Sequence, residues 1–118
     1  MIKIFFLILI LMNVFFSGCL KKTINPANDY KHAIYWSLRA AEGGSVSAQK
    51  QLGSMYYLGN GVKKDLKKAY MWYKLASISN DASAKTFLDI ITALLPGDQV
   101  SDAQTLFTAM QKKIMHSK

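Results

Sequence analysis

The chain has 118 residues, with 15 Lys and Arg against 7 Asp and Glu, and a formal charge of +8. Arg39 is the only Arg, so the charge is carried by mobile Lys ammonium groups rather than planar guanidinium forks, which disfavours specific phosphate or base recognition. A single Cys excludes an intramolecular disulfide and a cysteine-rich zinc site, and the length suits one small domain.

In chain order, Lys3 precedes an apolar run of 13 residues, Ile4 to Phe16. As a helix this run covers about 20 Å of a hydrocarbon core about 30 Å thick, too short to span comfortably. Residues 1–18 are therefore expected to be a signal peptide. The sequence Phe16-Ser17-Gly18-Cys19 resembles the bacterial lipobox, with Phe16 where that motif prefers Leu. The resemblance implies lipidation of Cys19, which would become the first residue of the mature chain. Leu20 stands where inner-membrane retention uses Asp, so the resemblance also implies outer-membrane sorting, facing the periplasm, in a Gram-negative cell. Lys21 and Lys22 would each add about 1 kcal/mol of attraction to anionic headgroups. Residues 19–28 read as a tether that reaches at most about 35 Å.

Every later signal is helical, and the expected class is all-α over residues 29–118. Asp29 is placed to cap a first helix that ends at Gly43 and Gly44, where a left-handed position is needed. Ser45 or Ser47 opens a second helix, broken by Gly59-Asn60-Gly61. Asp65 caps a third, with Leu66, Ala69, Tyr70, Tyr73 and Ala76 on one face. A fourth runs from about Ala82 to Pro96, burying Ala84, Phe87, Leu88, Ile91 and Leu95. Ser101-Asp102-Ala103-Gln104 has the form of a capping box and is expected to start the fifth, with Ala103, Leu106, Phe107, Met110 and Ile114 inward.

The helices repeat. Ala33 falls on Ala69, Trp36 on Trp72, Ala40 on Ala76, Ala48 on Ala84 and Leu52 on Leu88, always at an offset of 36 residues. Small Ala allows close backbone approach while Trp and Tyr fill the space between neighbouring pairs. The sequences Ala40-Ala41-Glu42-Gly43-Gly44, Ala48-Gln49 through Leu52-Gly53 and Met55-Tyr56 to Gly59, and Lys68-Ala69 to Trp72-Tyr73 and Ala76 resemble the Sel-one-like repeats, relatives of the tetratricopeptide repeats. That resemblance implies a short α-solenoid of antiparallel helix pairs, about five helices in all, with a C-terminal capping helix. The pattern decays after Ser79, where Lys85 replaces Gln49 and Asp89 replaces Gly53.

Catalysis has no support in the sequence. His32 and His116 lack metal-ligand spacing to each other or to Cys19, and the seven acids are scattered. Gly59-Asn60-Gly61-Val62 lacks the Lys and hydroxyl residue of a phosphate loop. No metal, cofactor or catalytic residue is expected. Trp36, Tyr56, Trp72 and Tyr73 sit at repeat-core positions and are expected to pack between helices. Tyr35, Arg39, Tyr57 and Lys74 are expected to be exposed and to contact a partner. The expected function is a membrane-tethered module that binds a protein or peptide. The alternative is a structural envelope protein docking on acidic polymers through Lys63-Lys64, Lys67-Lys68 and Lys112-Lys113. Export argues against nucleic acid. With fewer than the usual three repeats, the first helix pair is expected either to be polar on its outer face or to meet a second copy or a partner.

Overall fold

The computed structural model describes residues 2–5 and 26–118. Residues 2–5 are helical, and five longer helices follow: α1 (Pro26–Glu42), α2 (Val46–Leu58), α3 (Leu66–Ser77), α4 (Ala82–Leu94) and α5 (Gly97–His116). Cys19 and most of the expected signal segment and tether lie outside the described residues. Among the described residues there is no strand.

Local chemistry explains most of the helix boundaries. Ser45 is the N-cap of α2, its Oγ accepting from the Ala48 N–H at 3.3 Å. Asp65 does the same for α3, with one carboxylate oxygen accepting from both Lys67 N–H and Lys68 N–H at 3.1 Å. Each such cap satisfies backbone donors that have no partner within the helix and stabilises by about 1 kcal/mol. Asp81 caps α4 through the Ala84 N–H at 2.9 Å, a role that the sequence reading did not assign. At the other ends, Gly44 takes φ +97° after α1, and Asn80, the residue 36 positions on, takes φ +59° after α3. Asn is among the few non-glycine residues that adopt this conformation readily.

Two boundaries differ from expectation. α1 begins at Pro26 rather than after Asp29, which instead lies in the first turn. A proline suits the first helical position because its φ is already helical and its missing N–H needs no acceptor there. α5 begins at Gly97, not Ser101. The Pro96 carbonyl accepts from Gln99 N–H at 2.9 Å and Val100 N–H at 3.2 Å, so the proline that ends one helix also opens the next. Ser101 and Asp102 therefore lie inside α5 and form no capping box; Asp102 pairs instead with Lys67 at 3.6 Å.

The helices stack as a short α-solenoid with α3 at its centre. α1 packs on α2, and α3 packs on α2, α4 and α5. One cluster joins Ala69, Tyr73 and Ala76 of α3 to Ala84 and Ile91 of α4, with Ala103 of α5. The other joins Ala48, Leu52 and Met55 of α2 to Met71, Trp72 and Leu75 of α3, with Phe107, Met110 and Ile114 of α5 against it. Gly53 shows how close α2 and α3 come: a Cβ there would lie 2.7 Å from the Tyr73 ring. Burial pushes the Tyr73 hydroxyl above its ordinary pKa, with Ser54 opposing the shift. Gln49 ties the first pair together, its Nε2 donating to the Ala41 carbonyl at 3.1 Å. Among the described residues no buried side-chain polar atom lacks a partner.

Three expected core residues are more open. Phe87 is 39% exposed but stacks on Tyr73 at 5.1 Å, acting as a lid over the α3–α4 seam rather than filling it. Leu106 is exposed because α5 turns Ala103, Phe107, Met110 and Ile114 inward, a stripe that leaves residue 106 to one side. Trp36 is the third, and it defines the candidate site.

Candidate interaction surface

Trp36 and Trp72 occupy the same repeat position, yet Trp36 is 66% exposed and Trp72 1%. The neighbouring positions show the same split. Ala69, Met71, Leu75 and Ala76 of α3 are buried, whereas Ala33, Tyr35, Arg39 and Ala40 of α1, each 36 residues earlier, are exposed. The cause is topological. On α3, Met71, Trp72 and Leu75 are covered by α2 with α5 against them, while Ala69 and Ala76 cluster with α4 and α5; α1 packs on α2, and no described helix covers its Trp36 face. Trp36 thus departs from the packed position expected of it because, among the described residues, no preceding repeat packs against it.

The open face has its own internal order. Tyr35 and Trp36 meet edge to face, with ring centroids 5.3 Å apart at 78°. The Arg39 guanidinium lies over the Tyr35 ring at 5.5 Å, a cation–π contact that holds the side chain along the helix. Lys31 and His32 join the two aromatic residues in lining a shallow recess. The acids of α1 lie toward its ends: Asp29 in the first turn, and Glu42 in the last, where Lys113 takes it at 2.7 Å. The face is therefore aromatic at its centre, cationic at its borders and acid-poor.

The structure divides the four expected contact residues. Tyr35 and Arg39 stand together on this surface. Tyr57 is half-buried against the α3–α4 cluster. Lys74 is half-buried under α5: its Nζ donates to the Tyr70 hydroxyl at 3.1 Å and lies 5.3 Å from the Tyr70 ring and 5.1 Å from the Phe107 ring. The helix that closes the stack occupies the place of Lys74, which the sequence could not show because the partner, Phe107, is 33 residues away. Lys31, His32 and Trp36 line this surface without having been assigned to it by sequence reasoning.

The lysine pairs also separate. Lys63, Lys64 and Lys68 remain exposed around a second recess, where Lys68 Nζ lies 5.3 Å over the Tyr56 ring and half-buries it. Lys67 and Lys113 are drawn into ion pairs with Asp102 and Glu42. Among the described residues no three His, Cys, Asp or Glu side chains are grouped to hold a metal ion, and no helix is long and apolar enough to cross a membrane.

Comparison with known proteins assigns the repeat. Residues 25–45 and 46–81 match the Sel1 repeat model. The chain carries Sel1 repeats. Its fold resembles the crystal structure of c5321, a protective antigen of uropathogenic Escherichia coli strains with an SLR fold, at TM-score 0.63 and 33% identity over 69% of this chain and 18% of that one. It is similar to the chitin synthase regulator SKT5 of Saccharomyces cerevisiae, 38% identical over 56 residues, 48% of this chain and 8% of the relative. It is also similar to the alginate biosynthesis protein AlgK of Azotobacter vinelandii, 32% identical over 77 residues, 64% of this chain and 17% of the relative. The chain thus spans less than a fifth of the length of each protein it matches. Sel1-repeat proteins mediate protein–protein interaction or scaffolding, and no enzyme family is indicated for this chain.

Proposed function

We propose that this protein is a non-catalytic adaptor of the bacterial envelope, held at the membrane by lipid on Cys19 and binding a protein or peptide through its Sel1 repeats. The observation that carries the interaction half is the open aromatic face of α1, which keeps the residue types of a repeat seam with no described repeat against it. The printed names of two relatives, a synthase regulator and a biosynthesis protein, fit a chain that acts through other proteins. The tether half rests on the lipobox-like sequence around Cys19; on this reading the chain faces the periplasm from the outer membrane of a Gram-negative cell.

Two experiments test the two halves. Metabolic labelling with a fatty-acid analogue should mark the wild type and not Cys19→Ala; equal labelling contradicts the lipid anchor. Photo-crosslinkers at Tyr35 and Arg39 in the intact envelope should capture a discrete protein, whereas a crosslinker at Lys112, on the exposed side of α5, should not. The exposed Lys63, Lys64 and Lys68 favour a second reading, docking on acidic polymers. Binding of that kind should fall steeply by a few hundred millimolar salt, where the Debye length shrinks to about 5 Å.

A further inference from the structure

We propose that the open face of α1 is a docking site for one amphipathic helix of an acidic partner protein, which extends the solenoid by taking the position that α2 holds on α3. This rests on the adaptor reading and adds the site and the chemistry of its ligand.

The chain contains its own template for the complex. α2 presents Ala48, Leu52 and Met55 to α3, a small residue followed by two larger ones at helical spacing, and these cluster with Trp72. Shifted back by one repeat, the same stripe would meet Tyr35, Trp36 and Arg39, the counterparts of Met71, Trp72 and Leu75. The template also places the charges. On α3, Lys68 lies over Tyr56 of α2, and Leu75 lines one recess with Gln49 of α2. The residues 36 positions earlier are His32 and Arg39. A helix docked on α1 in the manner of α2 therefore sets its position 49 beside Arg39 and its position 56 beside His32. Acidic side chains at those two places complement a surface bordered by Lys31 and Arg39, where one of the two acids of α1, Glu42, is already paired with Lys113.

A second copy of the chain is the competing occupant. α4 exposes Phe87, Ile90 and Leu94 and could offer them to Trp36. Two chains of formal charge +8 repel, however, and the outward residues of α5, among them Gln104, Thr105, Thr108 and Lys112, end the stack with a polar surface rather than a complement to α1.

The test uses the full chain in detergent micelles and a labelled synthetic peptide of residues 46–58, stapled in helical form, carrying Gln49→Glu and Tyr56→Glu. Fluorescence anisotropy should show saturable binding. Lys in place of Glu at both peptide positions should weaken it by more than about tenfold, and so should Trp36→Ala or Arg39→Glu in the protein. Circular dichroism and thermal melting should match the wild type for both protein variants, which separates loss of the site from loss of the fold. Equal binding of acidic and basic peptides, or full binding by Trp36→Ala, overturns the proposal. So does a sedimentation profile in which the unliganded chain is a dimer that Trp36→Ala dissociates. If the peptide fails while crosslinks form in the envelope from other surfaces, the α1 assignment falls and the adaptor reading stands.

Discussion

α1 and α3 are the same helix used twice. They share Ala33 with Ala69, Trp36 with Trp72 and Ala40 with Ala76, and one is open where the other is closed. α3 is surrounded by α2, α4 and α5, so its tryptophan contributes to folding; α1 rests on α2 with its tryptophan outward. The difference teaches that a repeat motif specifies which residue fills a seam, while position in the stack decides whether the seam exists. A residue typical of the core then becomes available for recognition at the end of an array. The two ends also differ: α5 turns a largely polar surface outward and α1 does not.

The sharpest way to break the comparison is to truncate both tryptophans. Trp72→Ala should cost about 3–5 kcal/mol in urea unfolding, the range for a fully buried large side chain. Trp36→Ala should stay within about 0.5 kcal/mol, as for an ordinary surface change. Equal losses would mean that α1 is covered in the isolated protein. Next, Gly53→Ala should destabilise by about 1–3 kcal/mol, because its Cβ would meet the Tyr73 ring at 2.7 Å and force α2 away from α3. The same variant should leave α1 exposed and so separates the covered seam from the open one. Asp65→Ala, which removes the cap of α3, should cost about 1 kcal/mol, measured by the same unfolding.

Much of this fold was legible because it is written locally. Ser45 and Asp65 announce α2 and α3, Gly44 and Gly59 mark helix ends, and the alanines at an offset of 36 residues give the stacking. The start of α5 was not legible, since Pro96 reads as a stop and its second role depends on its carbonyl accepting from Gln99 and Val100. Asp81 was missed for a related reason. Its carboxylate joins the Ala84 cap to Lys50 of α2 at 2.9 Å, a partner 31 residues away. The candidate surface was half legible: Tyr35 and Arg39 could be assigned from position, but Trp36 carries a core signature that only its exposure in the folded chain overrides.

The smallest expected effect concerns that Asp81 junction. The Ser83 hydroxyl, then Lys50, then the Ala84 N–H hold the Asp81 carboxyl well below the usual carboxylate range. A depressed folded pKa stabilises above the unfolded value of about 4, and the contribution is lost as pH falls below it toward the folded value. Wild-type stability should therefore fall more than that of Asp81→Asn between about pH 5 and pH 2, with thermal melting as the readout. Parallel curves would show that the Lys50–Asp81 pair does not brace the first helix pair against the second.

The central claim, that one repeat position is closed on α3 and open on α1, is tested most directly by acrylamide quenching of two single-tryptophan variants. With Trp72→Phe, emission from Trp36 should be red-shifted and strongly quenched; with Trp36→Phe, emission from Trp72 should be blue-shifted and nearly unquenched. Two tryptophans with the same emission and the same quenching would contradict the account.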